Sequence, residues 1–287
     1  MELYNLAEIR PLLERHGFHF SKSMGQNFLV KEWVPRRIVS EAGIGKDCGV
    51  LEIGPGIGVL TRELCAAAGR VISVELDRSL LPVLDETLCD FDNVRVVNGD
   101  ALKLDLAALA NKEFTGLRPV VCANLPYNVT TPLLQALLAP GLFDEITVMI
   151  QKEVAQRICA KPGTPDYGSF TVFVSYYTDP SVCFDVTPDC FYPQPKVTSS
   201  VIKLRKKPEP ADLLDKELFF SITRSVFSHR RKTLTNGLSP LFADRLSKQQ
   251  IEDVIQKLGY IPTVRGETLS LQEFISLTNE FYALIHS

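Results

Sequence analysis

The sequence predicts an α/β fold, a mostly parallel sheet covered by helices on both faces, followed by a small helical domain. Three observations carry this. Short apolar runs alternate with helical periodicities through the first two thirds of the chain. A glycine-rich turn, Gly54-Pro55-Gly56-Ile57-Gly58, stops the first of those runs. Beyond Lys203-Leu204-Arg205-Lys206-Lys207-Pro208-Glu209-Pro210 the period becomes helical throughout.

Taken in order, Gly49 to Ile53 reads as a buried strand, and 70–75 and 94–97 as further strands. The patterns Val59 to Ala68 and Ser79 to Leu88 are helical and lie between them. Runs at 119–123, 145–150, 170–177 and 199–205 bring the sheet to seven strands. A proline-rich loop with no long helix joins the last two, so the final strand is expected to be antiparallel. Helices are expected over 212–226, 228–237, 248–257 and 271–285, with Gly259 and Pro262 breaking the last two apart. The expected division is 1–207 for the sheet domain and 208–287 for the helical one.

The chain has 287 residues, a net charge of −3, 45% hydrophobic and 23% charged residues, an ordinary balance for a soluble globular protein. It has no apolar run of the roughly 18 residues that a membrane span needs. Met1 to Arg15 mixes acids with arginines and lacks an apolar core, which excludes a secretory signal and argues against an organelle transit peptide. Seven cysteines scatter singly without a CxxC pair. A reducing cytoplasm is the plain reading, with neither a structural metal nor a disulfide framework. With an acidic total, any nucleic-acid binding has to come from a local basic patch.

The glycine turn fails the dinucleotide pattern G-x-G-x-x-G, because Val59 stands where the third glycine belongs. The spacing present is G-x-G-x-G behind an acid, Glu52, and it resembles the S-adenosylmethionine site of Rossmann-like methyltransferases. A pyrophosphate needs a helix N-terminus free of nearby acid. A sulfonium cofactor, with its α-amine and positive sulfur, tolerates one. Glu75 ends the second strand, where a carboxylate accepts both ribose hydroxyls. Asp100 ends the third, placed to accept an adenine amino group. The bland alternative for each acid is a solvated loop residue.

Pro119 to Ala123 runs straight into Asn124-Leu125-Pro126-Tyr127, a polar tetrapeptide at a strand end, where ligands of open α/β sheets sit. An aromatic amine is a poor nucleophile because its lone pair is delocalised into the ring. Two acceptors on its hydrogens, the Asn124 side-chain oxygen and the Leu125 carbonyl, pull the nitrogen toward a tetrahedral shape. Pro126 keeps the turn rigid, and Tyr127 stacks on the base. The base must be unpaired or flipped out to arrive there. The alternative is a turn that only caps a helix starting near Thr130-Thr131-Pro132. The chemistry needs no general base, so His16, His19, His229 and His286 receive no catalytic role.

With these motifs in place, the chain from about residue 18 to 280 resembles the small-subunit ribosomal RNA adenine-N6,N6-dimethyltransferase family. Four further stretches carry the resemblance: Ser23-Met24-Gly25-Gln26-Asn27-Phe28-Leu29, similar to that family's cofactor-gating segment; Glu153-Val154-Ala155-Gln156-Arg157 with Tyr167-Gly168; Phe191 to Val201, matching Phe-x-Pro-x-Pro-Lys-Val-x-Ser; and Phe227 to Leu234. The resemblance implies a Rossmann-like seven-stranded sheet and S-adenosylmethionine as cofactor. It implies cofactor contacts from Gln26, Asn27, Leu29, Gly54, Gly56, Glu75, Leu76, Asp100, Ala101 and Asn124. Tyr127 and Phe191 sandwich the adenine, beside Leu125 and Pro126. Leu125, where many DNA adenine methylases carry proline, leaves room for a monomethylated amine to turn. The implied activity is dimethylation of two adjacent adenosines near the 3′ end of small-subunit rRNA, by a monomer without metal or membrane.

Two basic clusters, Lys203 to Lys207 and Arg224 with Arg230, Arg231 and Lys232, are read with Lys196 as phosphate-binding residues, against the alternative of solvated faces. The loop Lys161 to Asp166 and the acidic total depart from the family pattern. Three rivals remain: a large-subunit rRNA adenine dimethylase of the kind that confers macrolide resistance, a non-catalytic ribosome-assembly or transcription factor on the same fold, and a nicotinamide dehydrogenase, which Val59 disfavours.

Overall fold

A computed structural model describes residues 2–20 and 26–286. Ser23, Met24 and Gly25 of the gating segment lie outside the described residues. In chain order the elements begin α1 (Leu6–Arg15), β1 (Phe28–Leu29), α2 (Trp33–Glu41), β2 (Cys48–Ile53), α3 (Val59–Ala67), β3 (Arg70–Glu75), α4 (Leu81–Thr87) and β4 (Val94–Asn98). They continue α5 (Leu106–Glu113), β5 (Arg118–Asn124), α6 (Thr130–Leu138), β6 (Glu145–Gln151), α7 (Lys152–Ile158), α8 (Ser169–Tyr177), β7 (Thr178–Val186), β8 (Phe191–Tyr192) and β9 (Ser199–Lys206). Four helices follow: α9 (Lys216–Ser228), α10 (Leu234–Phe242), α11 (Lys248–Lys257) and α12 (Leu271–Ile285).

Among the described residues, seven strands form one sheet in the order β4-β3-β2-β5-β6-β9-β7. β4, β3, β2, β5 and β6 run parallel, and β9 lies antiparallel to β6, as the proline-rich connection led one to expect. β2 and the interior of β5 are buried on both faces, which is why they read as unbroken apolar runs. The chain leaves β2 toward β3 and β4, then crosses back to β5 and β6. The strand order therefore switches direction between β2 and β5, and the crevice beyond their carboxyl ends is the natural binding place.

One expected strand is a helix. Residues 170–177, rich in aromatic and β-branched side chains, form α8, and the seventh strand is the next segment, β7. Tertiary packing overrides propensity here. Phe173, Tyr176 and Tyr177 of α8 meet Phe219 and Phe220 of α9 at ring separations of 5.1–6.2 Å. β7 escaped notice because it contains Asp179 and Pro180. It is an edge strand, where proline is tolerated.

Two compact units divide the chain: Met1–Ala155 with Pro180–Lys206, and Gln156–Asp179 with Lys207–Ser287. This packing differs from the expected 1–207 and 208–287 division over Gln156–Asp179, because α8 buries its aromatics against α9. Within the same unit the Tyr167 hydroxyl donates to the Leu269 carbonyl at 2.8 Å. The helices of this unit start where the sequence supplies caps. The Asp215 side chain accepts from Leu218 N–H at 2.9 Å, and Ser247/Gln250 and Ser270/Glu273 form capping boxes. Its core joins Phe219, Ile222, Leu238, Phe274 and Phe281, all fully buried. Phe219→Ala is expected to destabilise this unit by about 3–5 kcal/mol through cavity formation, measured by urea denaturation. A loss under about 1 kcal/mol would remove Phe219 from that core.

Candidate active site

The carboxyl ends of β2, β3, β4 and β5 open on one edge of the sheet, and the ladder continues one residue beyond β2, β4 and β5. Gly54 N–H donates to the Val74 carbonyl at 3.0 Å, Gly99 N–H to Glu75 at 2.9 Å, and Leu125 N–H to Met149 at 3.1 Å. Each functional loop thus starts from a backbone position held by its neighbouring strand. Gly54 and Gly56 adopt φ of 71° and 60°, which side-chain-bearing residues rarely adopt. A Cβ on Gly54 would meet the Pro126 ring at 3.6 Å, and one on Gly56 would meet the Phe28 ring at 3.1 Å. Gly54 is required by its backbone conformation, and Gly56 by both its conformation and the close approach of the Phe28 ring of β1.

A cavity of about 360 Å³ occupies this edge. Gln26, Asn27 and Leu29 line it from the β1 side; Gly54, Gly56, Glu75 and Leu76 from β2 and β3; Asp100 and Ala101 from the β4 loop. Asn124, Leu125, Pro126 and Tyr127 line the opposite part. Phe191 does not line it: the residue is 2% exposed, on β8, paired with Leu29. Glu52 also faces the cavity but is 1% exposed. Its Oε2 accepts from Thr61 Oγ1 at 2.7 Å and Ser73 Oγ at 2.6 Å. Burial pushes its carboxyl up to about 7 despite those bonds.

Glu75 is 6% exposed and is likewise raised to about 7 by burial, partly offset by backbone N–H groups of Asp77, Gly56 and Leu76. Asp77 N–H donates to Glu75 Oε1 at 2.7 Å. Asp77 itself is held low by hydrogen bonds outweighing its burial, from Ser79 and from Gln26, whose Nε2 donates to Asp77 Oδ2 at 2.7 Å. Asp100 Oδ1 accepts from Leu102 N–H at 3.0 Å, and Oδ2 lies 3.4 Å from Lys103 Nζ.

Asn124 Oδ1 is buried with no hydrogen-bond partner among the described residues. Leaving a buried carbonyl unpaired costs about 1–3 kcal/mol, and such a cost is usual where a ligand supplies the missing donor. Tyr127 opens a 3-10 turn, Tyr127–Val129, that leads directly into α6. So the turn also starts a helix, but the unsatisfied amide oxygen is not part of that start. The lining also includes residues outside the expected site, among them Leu80, Leu102, Asn128 and Leu133. Leu102 is 42% exposed and Leu76 55%, two leucines at neighbouring strand ends. No sequence signal marked Leu102, whose exposure is a property of the fold. The arrangement suits a nucleoside, with an acid for its ribose, apolar walls for its base, and an acceptor facing a second, amine-bearing base.

Of the basic residues, Arg224, Arg231, Lys232 and Lys196 are exposed. Arg230 is not free in the same way. Its Nε lies 2.6 Å from Glu267 Oε2, and its Nη2 donates to the Thr164 carbonyl at 3.0 Å, tying down the Lys161 to Asp166 loop. In the other cluster Lys203 and Arg205 lie 3.4 and 3.6 Å from Glu145.

The chain matches the ribosomal RNA adenine dimethylase family over residues 17–276. It is 47% identical over 279 residues to a ribosomal RNA small subunit methyltransferase A of Geobacillus thermodenitrificans, covering 96% of this chain and 95% of that one. Identity to the protein of the same name from Geobacillus kaustophilus is 48%, over 94% of each. Among solved structures, a dimethyladenosine transferase from Plasmodium falciparum superposes with a TM-score of 0.75 at 27% identity, covering 89% of this chain and 98% of that one. The 23S rRNA methyltransferase ErmE gives 0.65 at 25% identity, over 88% and 99%. With a glycine turn and an Asn-Leu-Pro-Tyr strand end sharing one cavity, and with this match along nearly the whole chain, the protein belongs to the ribosomal RNA adenine dimethylase family.

Proposed function

We propose that this chain transfers methyl groups from S-adenosylmethionine to N6 of two adjacent adenosines near the 3′ end of small-subunit rRNA, acting in the cytoplasm on immature subunits. The observation that carries the reading is the unpartnered Asn124 Oδ1 beside the glycine turn. The names and coverage of the relatives support a small-subunit target over a large-subunit one.

S-adenosylmethionine, when bound, supplies an electrophilic methyl group on a sulfonium. The protein's own residues do the rest. Glu75, ionised, accepts from ribose hydroxyls, Asp100 accepts from the adenine amine, and Leu76 and Leu102 close on that base. Gln26, Asn27 and Leu29 bound the cavity from β1. Asn124 Oδ1 and the Leu125 carbonyl accept hydrogen bonds from the two N6–H groups of the unmethylated target, concentrating the lone pair on nitrogen; as the N–C bond forms the donor's S–C bond breaks, and the methylated nitrogen releases its proton to water. Tyr127 stacks on the flipped base, and its ring face favours a neighbouring cation. Phe191 is the proposed second face of that sandwich. Arg224, Arg231, Lys232 and Lys196 contact phosphates, positioning the RNA without reading its sequence.

Purified protein with labelled cofactor is expected to methylate immature small subunits, and Asn124→Ala to lower that rate by about 100- to 1000-fold with subunit binding intact. Label confined to large subunits would reverse the target, and unchanged turnover would remove Asn124 from the reaction. Arg231→Glu with Lys232→Glu should weaken subunit binding and flatten its salt dependence at unchanged stability. Arg230→Glu should instead lower the thermal midpoint, because it breaks the Glu267 and Thr164 contacts. Equal effects of the two changes on binding alone would cancel the distinction.

Glu75 also sets a pH dependence. Its carboxyl, raised to about 7, holds a proton in the folded chain between about 4.5 and 7. Only the ionised form accepts both hydroxyls, so donor affinity should be flat above pH 7 and fall up to tenfold per unit below it. The same shift makes folding stability decline as pH rises through that window, because the unfolded chain has already released the proton. Calorimetric titration from pH 5.5 to 8.5 tests the affinity. A pH-independent Kd would show that Glu75 does not meet the donor.

A further inference from the structure

We infer that Ser199 is a positioning residue for the acceptor base: its hydroxyl, bonded to the Tyr127 phenol, fixes the place of the ring on which the flipped adenine stacks. The inference rests on the proposed activity and extends it to a residue that touches neither donor nor RNA. Tyr127 Oη and Ser199 Oγ are 2.5 Å apart. Tyr127 lines the cavity, whereas Ser199 is 0% exposed and does not line it.

A tyrosine at the head of a short 3-10 turn swings about its Cα–Cβ bond unless packing or a hydrogen bond to its tip holds it. Stacking depends on that torsion, since a tilted ring forfeits face-to-face contact with the base. Ser199 presents its hydroxyl from a rigid place. It is the first residue of β9 and pairs with Gln151 in the antiparallel ladder. Its neighbour Thr198 accepts a bond from Lys152 N–H at 2.9 Å. The next residue, Ser200, is anchored separately: its hydroxyl donates to Asp185 Oδ1 at 2.7 Å, and Asp185 meets Lys152 Nζ at 2.6 Å. Alternation along the strand directs Ser199 and Ser200 to opposite faces, so only Ser199 addresses the ring. Two main-chain anchors and one side-chain bond thus connect the stacking ring to the sheet rather than to its own loop.

The test uses the full chain. Ser199→Ala is expected to lower kcat on small subunits about tenfold while leaving the Kd for S-adenosylmethionine unchanged. Tyr127→Phe, which keeps the ring and loses the hydroxyl, should cost the same, and the double variant no more than either. A small-subunit rRNA fragment with 2-aminopurine at the target position supplies a readout independent of turnover: quenching on binding should be weaker in both single variants than in the unaltered protein. Additive losses in the double variant, unchanged kcat in Tyr127→Phe, or a parallel fall of thermal midpoint and donor affinity in Ser199→Ala with kcat per folded molecule preserved would each overturn the inference. If Ser199→Ala does not fold, Tyr127→Phe alone decides by the same kcat and quenching criteria. An unaltered protein that transfers no methyl would count against the activity, while the 2-aminopurine comparison would still decide the role of the bond.

Discussion

The site depends on parallel strands ending in register. Because β4, β3, β2, β5 and β6 run the same way, their carboxyl ends open on one edge, and loops far apart in the chain become neighbours. The ladder bonds that extend into those loops, from Gly54, Gly99 and Leu125, hold the glycine turn, the Asp100 loop and the tetrapeptide at fixed offsets. Chemistry that needs a methyl donor and an amine within bonding range needs that fixed offset more than any single side chain. Misplacing one reacting group by an ångström costs a large part of the rate.

Several polar residues at this edge are buried with incomplete hydrogen bonding. Glu52 and Glu75 sit where burial raises both carboxyls, and each is only partly compensated by hydroxyl or backbone donors. Asn124 keeps an oxygen unpaired among the described residues. The raised carboxyls cost stability above about pH 4.5, and an unmet buried acceptor costs it at any pH. Strain of this sort concentrates at functional sites, where the bound ligand completes the hydrogen bonding. The two units divide the work differently. The sheet unit contains the whole cavity, whereas the helical unit carries exposed arginines and a lysine on a core of aromatic side chains.

Arg230 illustrates why charge alone is a poor guide to a surface. In the sequence it is one of three consecutive cations. In the fold its guanidinium spans Glu267 and the Thr164 carbonyl, a fork geometry that lysine does not reproduce, while its two neighbours face water. Phe191 makes a similar point. It stands in a motif implied to meet the base, yet it is packed behind Leu29 in a two-stranded ribbon, so its proposed role requires that ribbon to adjust on binding.

Most of this protein was legible in the linear sequence because its signals are local. A buried parallel strand is a short apolar run, a G-x-G-x-G turn is a backbone requirement, and a polar residue at a strand end is a ligand position. β2, β3, β5 and β9 and the polar residues at the strand ends that line the cavity follow from such signals. What depended on distant partners was not legible. Residues 170–177 have strand propensity and are helical, because α9 offers aromatic rings for α8 to pack against. β7 carries a proline that only its edge position excuses. The unmet acceptor of Asn124 among the described residues and the raised carboxyls are set by burial, and the Arg230 contacts and the Tyr127–Ser199 bond join residues tens of positions apart. Composition and motif determine which groups are present and in what order; the three-dimensional fold alone decides which of them are dry, which are paired and which are left to bind.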